Sequence, residues 1–183
     1  MRYVGTNLMP AQFEPLRLAF LGCGFITEVH SRNLRRLRTD IVSSYASRDA
    51  RKADIYCQRH RGARSFADYR AAIEDPRVDA VVVAVPPRFH LELTQRALDA
   101  GKHVLVEKPA FLSIDDYNTV VAARDRMQRV VLVGENDHYK PLAVCLRRLL
   151  ADGIIGDMIF AHFTTVAERL KSADDWRNDE ALA

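Results

Sequence analysis

Residues 22–27 read Gly22-Cys23-Gly24-Phe25-Ile26-Thr27, after the apolar run Leu16–Leu21 and before a stretch with helical spacing. Two glycines at a strand-to-helix junction suit a diphosphate. Gly22 permits a tight turn, and Gly24 lets a phosphate approach the main chain. The helix start adds unpaired N–H groups and a partial positive charge, so Gly22, Gly24, Phe25 and Ile26 form the candidate pyrophosphate grip. The third position is Thr27 instead of Gly or Ala, a departure expected to loosen helix–strand packing. Cys23 lies inside the turn. The helix N-terminus would lower its thiol pKa, whereas burial would leave it inert.

A second group follows the apolar run Ile41–Ala46: Ser47-Arg48-Asp49, then Arg51-Lys52. Folds that prefer NAD place an acid here for the ribose 2′-hydroxyl. A hydroxyl followed by a guanidinium suits a 2′-phosphate, because Arg binds phosphate through two parallel hydrogen bonds. Ser47, Arg48 and Lys52 are therefore candidate ribose-end residues, and the expected cofactor is NADP, with NAD possible. The plain alternative is that Arg48 is solvated and Asp49 only caps a helix. Charge is skewed the same way. Residues 1–70 hold 13 Lys/Arg against 6 Asp/Glu (+7), and residues 71–183 hold 14 against 18 (−4). The basic excess reads either as solvated helix faces or as the setting of an anionic ligand.

The chain has 183 residues, 48% of them hydrophobic, and a net charge of +3. That is the composition of a globular protein with a full core, not of a disordered or fibrous one. The net charge is too small to argue for nucleic acid. No apolar run is long enough to span a membrane, and the N-terminus lacks a secretory pattern. Cys23, Cys57 and Cys145 form no CxxC, which points to a reducing cytoplasm and away from disulfides or zinc. The histidines form neither HxxxH nor HExxH, so no metal is expected.

Apolar runs alternate with helical stretches. Asp49 can cap a helix to about His60, with Gly62 at its C-terminal cap. A shorter helix spans Ala67 to Glu74. Ala80–Val85 is apolar throughout, as in a strand buried on both faces. A helix from Phe89 to Ala100, a strand at His103–Glu107, a helix from Ser113 to Gln128, a buried strand at Val130–Val133 and a helix from Pro141 to Ala151 follow. This order predicts an α/β fold with a doubly wound parallel sheet of Rossmann type, about five βαβ units. Residues 1–15 read as an extension, 16–150 as the dinucleotide-binding domain, and 151–183 as the start of a second, α+β substrate domain. Within it, Met158–Val166 reads as one long strand whose exposed edge invites pairing with another chain. Glu168–Ala183 reads as a polar, frayed tail.

Several segments together resemble the Gfo/Idh/MocA family of oxidoreductases. They are the Gly22-Cys23-Gly24 turn, Val85-Pro86 with His90 opening a helix, Ala97-Leu98-Asp99-Ala100-Gly101-Lys102-His103-Val104, and Glu107-Lys108-Pro109. Val133-Gly134-Glu135-Asn136 with Tyr139 and Pro141, and Leu150–Asp157, fit as well. The resemblance covers about Leu16 to Asp157. It implies an enzyme that moves a hydride between a nicotinamide and a sugar, polyol or related hydroxyl or carbonyl compound. It extends the cofactor-binding set to Val85, Pro86, His90, Glu107, Lys108 and Asn136. In such proteins the lysine of Glu-Lys-Pro lies near the nicotinamide and the substrate oxygen, and its peptide bond to proline is often cis. That role passes to Lys108, whose charge can stabilise a developing alkoxide and whose pKa can fall when desolvated. For His90 alone, a cap or packing role is the commoner reading. The resemblance places it close to the cofactor.

The family's chains are longer. Their second domain covers the nicotinamide and supplies a histidine, often with an aspartate, for proton transfer. Here the sequence passes Asp174-Asp175-Trp176-Arg177 and stops at Ala183. Three explanations stand: a fragment of a longer enzyme, which is favoured; completion by a second polypeptide or by self-association into a homo-oligomer; or a non-catalytic dinucleotide-binding module. The expected partner is a small-molecule substrate, with no nucleic acid and no membrane.

Overall fold

The computed structural model describes residues 14–164 and Val166. The expected tail and nearly all of the expected extension lie outside these residues. Six strands form one parallel sheet: β1 (Leu16–Leu21), β2 (Ile41–Ala46), β3 (Ser65–Phe66), β4 (Ala80–Val83), β5 (His103–Val106) and β6 (Val131–Val133). Their spatial order is β3-β2-β1-β4-β5-β6, so the winding reverses between β1 and β4. The helices are α1 (Phe25–Leu34), α2 (Ala50–His60), α3 (Tyr69–Glu74), α4 (His90–Asp99), α5 (Ile114–Met127) and α6 (Pro141–Ala151). The doubly wound α/β expectation holds.

The unbroken apolar runs have a simple cause: both faces of the sheet are covered. Ala19, Leu21, Val81 and Val83 point into one layer with Ile73, Leu93, Ala97, Leu98 and Val120 of α3, α4 and α5. Leu18, Phe20, Ala80 and Val82 point into the other, with Ala53, Ile26 and Tyr56 of α1 and α2. There the Phe20 ring stacks on Tyr45, centroids 5.5 Å apart. Caps set the helix starts. Asp49, Asp68 and Ser113 accept from Arg51, Ala71 and Asp116 main-chain N–H groups at the heads of α2, α3 and α5. The Asp68 cap starts α3 at Tyr69, two residues later than the sequence pattern placed it.

Two ion-bonded groups lock the sheet at its amino end. Arg17 of β1 donates to Asp79, just before β4, from its main-chain N–H (2.9 Å), from Nε (2.8 Å) and from a second guanidinium nitrogen. Buried Lys102 donates through Nζ to the Asp75 and Val78 carbonyls at 2.9 and 2.7 Å. Desolvation lowers its pKa.

Three local expectations are corrected, and one element has no forerunner in the sequence: β3, whose two residues carry no periodic signal. It forms because Tyr45 and Ala46 offer an open ladder to Ser65 and Phe66. Gly62 is not the left-handed cap of α2; Arg61 takes that conformation at φ +55°. Gly62 instead lies against Tyr45, whose ring a Cβ would meet at 2.7 Å. β6 is an edge strand, and Leu132 is 54% exposed, because α6 buries no residue against it. Residues 158–164 form no strand among the described residues, and they are exposed. A strand needs a neighbour for its N–H and C=O groups, and none is described beside this segment.

The Leu98→Ala variant removes a fully buried side chain. It is expected to lose about 3 kcal/mol of stability, read as a lower urea midpoint. Asp79 is held below the ordinary aspartate pKa, first by its hydrogen bond from Arg17. A carboxyl with a depressed folded pKa adds stability above its unfolded pKa and loses it as pH falls through the folded one. Acid titration of the melting temperature should therefore show a steeper fall for the native chain than for Asp79→Asn below the ordinary aspartate range.

Candidate cofactor site

Strand register brings the candidate residues to one edge. Leu21 pairs with Ala46 on one side and Val83 on the other, Val83 with Val106, and Val106 with Val133. The segments that leave these strands lie side by side at the carboxyl end of the sheet. In spatial order they are Ser47-Arg48, Gly22–Gly24, Ala84-Val85-Pro86, Glu107-Lys108 and Gly134-Glu135-Asn136. Three strand spacings separate the first from the fourth, about 14 Å. The winding reverses at β1 and β4, where open α/β sheets bind their ligands.

The glycine turn is built for close approach. Gly22 has φ +110°, and a Cβ there would lie 2.4 Å from the Ala84 carbonyl oxygen. Gly24 differs: its Cβ position has nothing within 4 Å. It heads α1 without a side-chain cap, in contrast to α2, α3 and α5. The first-turn N–H groups therefore face open space, which fits a diphosphate. Thr27 does not loosen the packing. It is fully buried, and its hydroxyl donates to the Gly22 carbonyl at 2.7 Å. Tyr56 of α2 donates its hydroxyl to the Gly24 carbonyl at 3.1 Å.

Cys23 is the inert alternative. Its Sγ–H faces the Ala46 carbonyl at 3.6 Å, and burial pushes the thiol pKa up to about 11, against a weaker downward pull from the Lys52 charge. Lys52 lies exposed in the first turn of α2.

At the ribose end, buried Ser47 accepts the Asp49 main-chain N–H at 3.1 Å, and Asp49 does cap α2. Arg48 extends from this corner. Its guanidinium lies over the Phe89 ring, 5.7 Å from the centroid, and beside the Tyr69 hydroxyl. A cleft of about 370 Å³ opens there between Arg48, Tyr69, Val85, Pro86, Phe89 and Leu93.

The Glu107-Lys108-Pro109 loop is gripped from both sides. The Lys108–Pro109 bond is cis. Glu107 is buried, and its Oε1 lies 2.6 Å from Nε2 of His30 on α1. Its Oε2 accepts the Lys108 main-chain N–H at 3.3 Å. Gly134 makes room for this carboxylate, since a Cβ there would come within 3.0 Å of it. His90 is almost fully buried. Its Nε2 lies 2.7 Å from the Val85 carbonyl, and its Nδ1 lies 3.0 Å from both the Pro109 and Ala110 carbonyls. The His90 ring thus meets only main chain in these contacts. Lys108 itself is exposed. The Asp137 carboxyl is held below the ordinary range first by its hydrogen bond from Lys140 and that residue's charge, and last by the Lys108 charge. Asn136 is exposed at the start of the 3-10 turn Asn136–Tyr139.

Sequence reasoning did not single out His30, Tyr56, Tyr69, Phe89 or Asp137. His30 and Glu107 are 77 residues apart, and only the β1–β4–β5 register joins them. Among the described residues no His, Cys, Asp and Glu cluster suits a metal. No helix there is long and apolar enough to cross a membrane.

Together, the glycine turn, the strand order and the uncapped helix define a dinucleotide-binding Rossmann domain. Residues 16–135 match the oxidoreductase family with the NAD-binding Rossmann fold, and the chain belongs to this family, the Gfo/Idh/MocA oxidoreductases. A 1,5-anhydro-D-fructose reductase of Ensifer adhaerens is 36% identical over 123 residues, which are 66% of this chain and 36% of that protein. The D-xylose 1-dehydrogenase (NADP(+)) of Hypocrea jecorina is 31% identical over 135 residues, 72% of this chain and 34% of that protein. The structure of a 3-ketoreductase from Actinomadura kijaniata, in complex with NADP, superposes with a TM-score of 0.71 at 29% identity, covering 78% of this chain and 44% of that one. The match thus takes in less than half the length of each of these proteins.

Alkylation with iodoacetamide at pH 7.5 should label exposed Cys145 readily and leave Cys23 unmodified, as peptide mass spectrometry would show. Labelling of Cys23 in the folded chain should rise only as pH nears about 11, where its raised pKa lies.

Proposed function

We propose that this chain is the cofactor-binding part of an NAD(P)-dependent oxidoreductase acting on a sugar, polyol or related hydroxyl or carbonyl compound, and that NADP is its preferred cofactor. The observation that carries the reading is the row of main-chain and side-chain groups along the carboxyl edge of the sheet. It runs from Arg48 through the uncapped Gly24 turn to Lys108. The names of the two curated relatives, a sugar dehydrogenase and a sugar-derived reductase, support the substrate class.

Each residue has a task in this reading. Gly22, Gly24, Phe25 and Ile26 hold the diphosphate through the α1 N–H groups. Ser47, Arg48 and Lys52 take the ribose 2′-phosphate, and no carboxylate at position 47 repels it. Val85 and Pro86, with Phe89, line the cleft for the adenosine end. Glu107, Asn136 and His90 shape the nicotinamide end. The nicotinamide, when bound, donates or accepts the hydride. Lys108 is the catalytic residue: its ammonium stabilises negative charge on the substrate oxygen and exchanges a proton with it. Exclusion of water and a proton relay fit a second domain that covers the nicotinamide face, as the family resemblance implies. The exposed β6 edge and the apolar segment Met158–Phe163 are the surface that such a partner would cover. We assign the protein to the cytoplasm, since Cys23, Cys57 and Cys145 are all unpaired.

Calorimetric titration tests the proposal. NADPH should bind more tightly than NADH. The Arg48→Ala variant should lose about tenfold in NADPH affinity, the worth of one charge-assisted hydrogen bond, and little for NADH. Tighter binding of NADH to the native chain would refute the NADP preference, and failure of both to bind would refute the whole reading.

A further inference from the structure

Two histidines, half-buried His30 and buried His90, make contacts that bear on the loop carrying Lys108. His30 Nε2 lies 2.6 Å from Glu107 Oε1, and Glu107 Oε2 accepts the Lys108 main-chain N–H at 3.3 Å. On the other side, His90 spans from the Val85 carbonyl at 2.7 Å to the Pro109 and Ala110 carbonyls at 3.0 Å. Lys108 is the one residue between these two grips. Its own side chain is exposed, while Glu107 before it and Ala110 after it are buried.

We infer that His30 and His90 are positioning residues for Lys108: they fix the main chain of residues 107–110, so that the ammonium is presented at the carboxyl edge in one orientation. The inference rests on the reading of Lys108 as the catalytic lysine. Three physical arguments carry it. A lysine side chain has four rotatable bonds, so its head is placed only as well as its main chain is held. A loop at the end of a short strand has few ladder bonds to hold it; the one from this loop to β4 is Glu107 N–H to the Val83 carbonyl at 3.0 Å. The histidines supply the remaining constraint from α1 and α4, elements whose places are set by the core. His30 also sits on the helix whose first turn faces the diphosphate. The loop that carries the lysine is thereby keyed to the same helix that holds the other end of the cofactor.

The carboxylate is what makes the grip specific. Glu107 reaches His30 with one oxygen and its neighbour's N–H with the other, a bridge that a shorter acid cannot span. Gly134 leaves the space that this bridge occupies. A glutamine at position 30 can place an N–H donor near the position of the imidazole Nε2, so donation to Glu107 is recoverable without a ring.

The experiment uses the whole chain and reads the loop directly. Hydrogen exchange of the peptide containing residues 107–110, and the acylation rate of Lys108 by acetic anhydride, are measured by mass spectrometry for the native chain, His30→Ala, His30→Gln and His90→Ala. Melting temperature and NADPH affinity are recorded alongside. Exchange at 107–110 should speed up at least about tenfold in His30→Ala and His90→Ala, with a changed Lys108 acylation rate. The β1 and β4 peptides should stay as protected as in the native chain. His30→Gln should restore most of the protection, which a loss of mere packing volume would not do. Native-like exchange and acylation in both alanine variants would overturn the inference. So would a loosening spread evenly over the sheet, or one that glutamine does not repair. NADPH binding is scored separately. Its absence from the native chain would sink the functional reading and leave the exchange result standing on its own.

Discussion

The Gly22 α-carbon stands so close to the Ala84 carbonyl that no side chain fits between them. Everything at the carboxyl edge depends on that contact. It brings the end of β1 against the end of β4 where the strand order reverses, and it turns the chain so that α1 starts with its N–H groups facing outward. Gly22 N–H to the Ala46 carbonyl at 2.9 Å and Ala84 N–H to the Leu21 carbonyl at 2.9 Å hold the same junction. A larger residue at position 22 would part the strands and misdirect the helix. The Thr27 and Tyr56 hydroxyls then fasten the two glycine carbonyls to α1 and α2.

From this junction the site spreads outward along the sheet, and its polar groups fall into two kinds. Some are left without a protein partner at the surface, as at the head of α1. Others are engaged inside the fold: Glu107 on His30 and Lys108, and His90 against three carbonyls. Open groups are available to a ligand, while satisfied ones set its surroundings. The cofactor-binding set drawn from resemblance mixed the two kinds. His90, nearly closed to solvent with its ring nitrogens against main-chain carbonyls, is of the second kind.

The opposite flank is exposed among the described residues. β6 is an edge with exposed Val130, Leu132 and Val133, and α6 lies beyond it without burying a side chain. Among the described residues these apolar positions have no covering layer, and the described part of Met158–Val166 has no paired strand. A hydrophobic pattern states what a segment would bury, and burial requires a second surface.

The sequence by itself determined the class of fold and several of its local junctions. Runs such as Ala80–Val85 can lie only between two covering layers, Asp49 and Ser113 mark helix starts, and a Gly-x-Gly pair between strand and helix has a mechanical meaning wherever it occurs. Local chemistry within a few residues was enough for each of these. Tertiary structure alone decided the rest: the two-residue β3, the true cap at Arg61, the tightness of Thr27, the inert state of Cys23 and the His30–Glu107 bridge. Each depends on partners far away in the chain, whose approach is set by strand register and layer packing. No local pattern encodes that approach, because the contact exists only once the sheet has been assembled.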